Sequence, residues 1–163
     1  MKRPFWLLLP AAVLGADLLS KLWILSRLQE GQTLPVIPGF FNLSLGFNTG
    51  AIFGSLQGLP EWARAGIFTI AGIAAMVYFG GLFLKEETAA LERVALGLIL
   101  GGALGNGLDR LWHGHVVDFL DFVFGSWHYW TFNLADSAIV CGAILYGLYF
   151  LKRPEPAKDT ARS

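Results

Sequence analysis

Four long apolar stretches, each broken by few charges, divide this chain at about 5–28, 62–84, 94–112 and 132–151. Crossing the hydrocarbon core of a bilayer as a helix takes about 20 mostly apolar residues, and in lipid the backbone must satisfy its own hydrogen bonds. Each stretch is long enough, so the pattern predicts an all-α membrane protein with four transmembrane helices. One integral membrane domain over 1–163 is the natural organisation for this length. Between the first two spans, segment 29–61 contains Pro35, Pro38, Gly39, Gly46, Gly50, Gly54 and Gly58, which argue against helix. Phe40, Asn42, Leu43, Ser44, Leu45 and Phe47 alternate weakly there, predicting a small β-structured element resting on the membrane face. Segment 113–131 is shorter and aromatic (Phe119, Phe122, Phe124, Trp127, Tyr129, Trp130) and reads as an interfacial connection containing a turn. The polar tail from about 153, with two prolines, is expected to be disordered.

The basic start (Lys2, Arg3), the apolar run 5–14 and the small residues of Leu14-Gly15-Ala16 could also describe a cleaved signal peptide. Apolar residues continue through Leu18, Leu19, Leu22, Trp23, Ile24 and Leu25, however, so the segment is read as a retained span. Basic residues then orient the protein. Lys2, Arg3, Lys85, Arg93, Lys152, Arg153, Lys158 and Arg162 collect on one side, against Lys21, Arg27, Arg64 and Arg110 on the other. Both termini are therefore expected in the cytoplasm, with 29–61 and 113–131 outside. Only 15% of the residues are charged while 55% are hydrophobic, which fits membrane spans rather than a soluble domain. The formal net charge of zero gives no field for nucleic acid, and no such partner is expected. The lone Cys141 excludes an internal disulfide and reads as a small buried hydrophobe.

Gly97, Gly101 and Gly105 recur every fourth residue in the third span, and Ala135, Ala138 and Gly142 mark a comparable face of the fourth. Such stripes let helix backbones approach closely in lipid, which draws these two spans together. That matters for the acids. Asp17, Asp109, Asp118, Asp121 and Asp136 lie within or beside apolar stretches, where a carboxylate is costly enough to suggest function. Asp17 and Lys21 share a helix face, as do Asn106 with Arg110 and Asn133 with Asp136. Asn48 sits in a polar turn of the outer segment. Asp118, Asn106, Arg110, Asn133 and Asp136 all fall near the outer boundary, and one shared cluster is the simplest way to satisfy them.

Two carboxylates at close quarters share a proton, so that one acts as base and the other as acid. Asp118 and Asp136 are the expected pair, although spacing does not dismiss Asp109 and Asp121, and such a pair can activate water against an amide without metal or covalent nucleophile. The structural alternative is a salt-bridge network that only fixes helix register, with Arg110 on Asp118 and Lys21 on Asp17. His113, His115 and His128 with Asp118 would be the material for a metal site, but no H-E-x-x-H is present and none is expected. Ser20, Ser55 and Ser137 lack a G-x-S-x-G setting. A proton-coupled transporter would spread its acids through the membrane depth. Here they crowd one face.

Four blocks carry a family likeness: Asp17-Leu18-Leu19-Ser20-Lys21; Asn48-Thr49-Gly50-Ala51-Ile52-Phe53; 101–110 (GGALGNGLDR) continuing to Val116-Val117-Asp118-Phe119; and Phe132-Asn133-Leu134-Ala135-Asp136-Ser137. In these the chain resembles the prolipoprotein signal peptidases (signal peptidase II), four-span aspartyl peptidases of the bacterial inner membrane. The resemblance implies removal of the signal peptide from a diacylglyceryl-modified prolipoprotein, just before the lipidated cysteine. By position it implies Asp118 and Asp136 as the catalytic pair, with Asp17, Lys21, Asn48, Asn106, Arg110 and Asn133 as substrate-binding or supporting residues. Asp109 and Asp121 do not match catalytic positions. No cofactor is implied; the expected partners are the lipidated precursor and membrane lipid, and the expected state is a monomer.

Overall fold

The computed structural model describes residues 3–50, 58–125 and 127–152. A single turn, α1 (Arg3–Trp6), leads into α2 (Leu8–Leu25), and after two strands come α3 (Glu61–Phe83) and α4 (Ala90–His113). Strands β3 (Val116–Phe124) and β4 (Trp127–His128) precede α5 (Leu134–Lys152). Four of these helices, α2 to α5, are long and apolar enough to cross a membrane. Their ends shift from the expected limits, most visibly in α4, which starts at Ala90 rather than near 94. The disordered tail expected from about 153 lies outside the described residues. So does 51–57 of the segment 29–61.

α4 is the central element, packing on α2, α3 and most extensively on α5. Glycines set the closeness of that last contact. A Cβ on Gly102 would run into the carbonyl oxygen of Ala135, and one on Gly142 would lie 2.7 Å from the Ala95 carbonyl oxygen. The small-residue stripes therefore do what their spacing predicts: they bring backbone against backbone. The outward faces carry exposed Leu19, Leu22, Ile70, Val77, Val140 and Leu151. That apolar surface is suited to lipid, since a soluble protein of this size rarely exposes so much contiguous hydrocarbon.

The β-structure is larger than expected. β1 (Thr33–Ile37) and β2 (Phe41–Asn48) form the anticipated hairpin, but β2 also pairs antiparallel with β3, giving the order β1-β2-β3-β4. The connection 113–131, expected to be an aromatic turn, is thus mostly strand. Its physical reason lies in Val116-Val117-Asp118-Phe119: both faces of β3 are covered, so its apolar residues run together instead of alternating. Ile24 at the end of α2 packs with Leu45, Val117 and Phe119 in a small core that joins the sheet to the bundle. Cys141, expected to be buried, is exposed on α5 and borders a cavity with Trp130 and Val140.

Candidate active site

The end of the bundle nearest the sheet holds a buried polar cluster. Its geometry starts with chain pairing: the Phe119 and Leu120 amides both donate to the Phe132 carbonyl, and the Phe132 amide returns a bond to Leu120. This lays the segment entering α5 along β3 and sets Asn133 beside Asp118. Asn133, fully buried, caps α5: its Oδ1 accepts the Asp136 amide at 2.8 Å, while its own amide donates to Asp136 Oδ2 at 3.4 Å. Reciprocal bonding of this kind satisfies two orphan donors at a helix start. The other end of the same side chain donates to Asp118 Oδ1 at 2.7 Å.

Asn106, on α4, donates to Asp136 Oδ1 at 2.7 Å. Asn48 donates to the second oxygen of Asp118 at 3.0 Å and accepts the Gly50 amide at 2.9 Å, which closes the turn after β2. Gly50 has φ of 100°, and a Cβ there would overlap the Phe68 ring of α3. Only glycine suits that position. Arg110 stands over the same ring at 5.9 Å and donates to the Asn106 carbonyl. No ion pair joins it to Asp118 among the described residues, so that half of the salt-bridge alternative is not formed.

Lys21 does pair with Asp17, at 2.7 Å. It also reaches Asp109 at 2.9 Å and Asn106 Oδ1 at 3.2 Å. Asp109 is therefore inside the cluster, although its sequence position marked it as a bystander. The signal was available: Asn106, Asp109 and Arg110 fall at i, i+3 and i+4, one face of α4. Asp121 does stand apart, accepting from Asn42 and meeting His128 Nδ1 at 3.1 Å. His113 and His115 face each other elsewhere, with ring centroids 5.9 Å apart.

The two central acids differ in environment. Asp118 is 4% exposed, whereas Asp136 is half-buried and borders open space. Burial first, and then the neighbouring Asp136 charge, push the Asp118 carboxyl from 3.8 up to about 7. Hydrogen bonds from Asn48 and Asn133 and the Lys21 charge pull the other way. Asp136 lies between two cavities. One, of about 390 Å³, runs between α3, α4 and α5 past Phe68, Met76 and Ile139 to Asn106 and Arg110. The other, of about 310 Å³, is bordered by Tyr129, Trp130, Phe132, Val140 and Cys141.

A bundle of helices long and apolar enough to cross a membrane, with Asp118 and Asp136 at one end and an apolar groove leading to them, has the outline of a membrane enzyme. A solved structure described as a bacterial membrane enzyme, determined by the in meso method at 2.3 Å, superposes with a TM-score of 0.81 at 31% identity, over 98% of this chain and 95% of that one. A second such enzyme, at 1.9 Å, gives 0.79 at 33% identity, over 93% of this chain and 95% of that one. The chain belongs to the signal peptidase II family, whose model, described as "Signal peptidase (SPase) II", matches residues 9–152. The lipoprotein signal peptidase of Serratia proteamaculans is 46% identical over 97% of this chain and 92% of its own length. That of Chromobacterium violaceum is 41% identical over 93% of each. Family membership makes this a protease.

Proposed function

We propose that the protein removes the signal peptide from diacylglyceryl-modified prolipoproteins, cutting just before the lipidated cysteine with water activated between Asp118 and Asp136. The observation that carries this reading is the pair itself: two carboxyls linked through Asn133, one buried and pushed up to about 7, the other open to the groove. Such a pair holds one proton between its members at neutral pH. Asp136 takes a proton from water as the oxygen attacks the scissile carbonyl carbon, and Asp118 gives its proton to the carbonyl oxygen. On collapse the carbon–nitrogen bond breaks, and the Asp136 proton passes to the leaving amine of the cysteine. The diol returns a proton to Asp118, restoring the pair. Asn48, Asn106, Asn133 and Arg110 hold the acids and the substrate backbone; Asp17 and Lys21 support them from behind.

The precursor's signal helix fits the apolar groove between α3, α4 and α5, and an acyl chain contributes about 0.8 kcal/mol per buried CH₂, enough to fix the cysteine at one depth. The basic-residue asymmetry supports an orientation with both termini in the cytoplasm and the acids near the outer face of the bacterial inner membrane. A single membrane domain acting as a monomer suffices. The test is a gel-shift assay with purified protein in detergent, given precursor with and without the diacylglyceryl group. Cleavage of only the lipidated form, lost in Asp118→Asn and in Asp136→Asn while both variants still insert, supports the reading. Retained activity in either variant removes that residue from the mechanism.

A further inference from the structure

Two backbone amides in the cluster bond to buried carboxylates rather than to backbone. The Val117 amide donates to Asp109 Oδ2 at 3.1 Å, and the Ala135 amide to Asp17 Oδ1 at 2.9 Å. Val117 immediately precedes Asp118, and Ala135 immediately precedes Asp136. Both clamping carboxylates are gripped by one ammonium: Lys21 Nζ lies 2.7 Å from Asp17 Oδ2 and 2.9 Å from Asp109 Oδ2. The same nitrogen touches Asn106 Oδ1, whose amide in turn holds Asp136.

We infer that Lys21, Asp17 and Asp109 form a twin clamp that fixes the relative position of the two central acids, with Asp109 a positioning residue for Asp118 as Asp17 is for Asp136. The inference rests on the acid-pair reading above. Its physical basis is that the two acids come from unlike elements, a strand and a helix start, which β-pairing and helix packing position separately. A common ammonium between two carboxylates couples them. All three residues are at least 96% buried, so the bonds are unshielded by water and geometrically demanding. Removing one member leaves a buried charge unpaired, which is why such a triad is held rigidly. A displacement of about 1 Å at a reacting group is enough to cost on the order of 10²-fold in rate.

The test compares Asp109→Ala, Asp109→Asn and Lys21→Met with Asp121→Asn, a buried acid on β3, the strand of Asp118, outside the clamp. Cleavage of lipidated precursor is followed across pH in detergent-purified full chains. Asp109→Ala is expected to lower kcat on the order of 10²-fold with KM little changed. Asp109→Asn, whose amide oxygen can still accept from Val117, should recover part of the loss. Asp121→Asn should stay near the parent rate. The charges that bear on Asp118 are Asp136, Lys21 and Arg110, so the alkaline limb of the profile should move higher in Lys21→Met. A scaffold role for Lys21 alone produces no such shift. Should Asp109→Ala not fold, the shape-preserving Asp109→Asn carries the test. Parent-like kcat in Asp109→Asn overturns the clamp. Active Asp118→Asn or Asp136→Asn would instead overturn the acid pair, so the two failures are distinguishable.

Discussion

Asn133 donates its side-chain amide to Asp118 Oδ1 at 2.7 Å. Its carbonyl end simultaneously caps the helix that carries Asp136. One residue thus holds the strand acid and the helix acid, and its two ends cannot be exchanged, because Asp118 needs a donor and the helix start needs an acceptor. Asn133→Ala is expected to lower kcat on the order of 10²-fold through misplacement of the pair. Loss of the cap alone costs about 1 kcal/mol of stability. Asn133→Asp keeps the cap but replaces a donor with a third carboxylate against Asp118, and should be at least as inactive. Kinetics and thermal unfolding of both variants separate the two roles; an active Asn133→Asp would refute the assignment.

The upward shift of Asp118 sets a pH dependence. Cleavage requires the pair to keep one proton, so the rate should fall as pH rises through about 7. A single-turnover profile flat from pH 6 to 9 would contradict this.

The same shift predicts a stability effect whose sign follows from proton binding. Between the ordinary value of 3.8 and about 7, the folded protein holds a proton on Asp118 that the unfolded chain releases, so this group's contribution to stability falls as pH rises across that window. The melting temperature of Asp118→Asn should therefore depend less steeply on pH from about 4 to 7 than that of the parent. Parallel curves would disprove it.

Gly142 and Gly102 both meet backbone across the α4–α5 contact, but at different distances from the acids. Gly142→Ala drives a methyl against Ala95 and Ile99, an overpacking of about 1–3 kcal/mol, and should lower thermal stability while sparing kcat of the folded protein. Gly102→Ala presses on the Ala135 carbonyl, one residue from Asp136, and should reduce kcat as well. Equal kcat in both would separate helix packing from catalysis.

Because the proposed chemistry runs between two carboxyls, chelators should leave cleavage unchanged. Inhibition by a chelator that zinc reverses would return attention to His113, His115 and His128.

Helix content was legible in the sequence because lipid imposes a length rule, and four stretches satisfy it. Spacing put Asn133 and Asp136 on one helix face with Asp118 just before, but it left Asp109 and Asp121 open, and the family resemblance made the choice. β3 was not legible. A strand covered on both faces reads like an aromatic connection, and neither its pairing with β2 nor the return of Phe132 onto it leaves a local mark. The helix face of Asp109 was legible from its spacing to Asn106 and Arg110, but its contacts were not. Its partner Lys21 lies on another helix, and its second bond goes to an amide that no sequence pattern advertises.

The side chains that surround Asp118 and Asp136 are also those that join α2, α4, α5 and the sheet. An inhibitor that engages only these groups would leave little room for escape, because substitutions that weaken its grip would also loosen the fold. Resistance would be confined to the groove, where Met76 and Ile139 line the cavity without making any of the bonds that hold the acids. Compounds that take little of their affinity from the groove should therefore keep their potency longest.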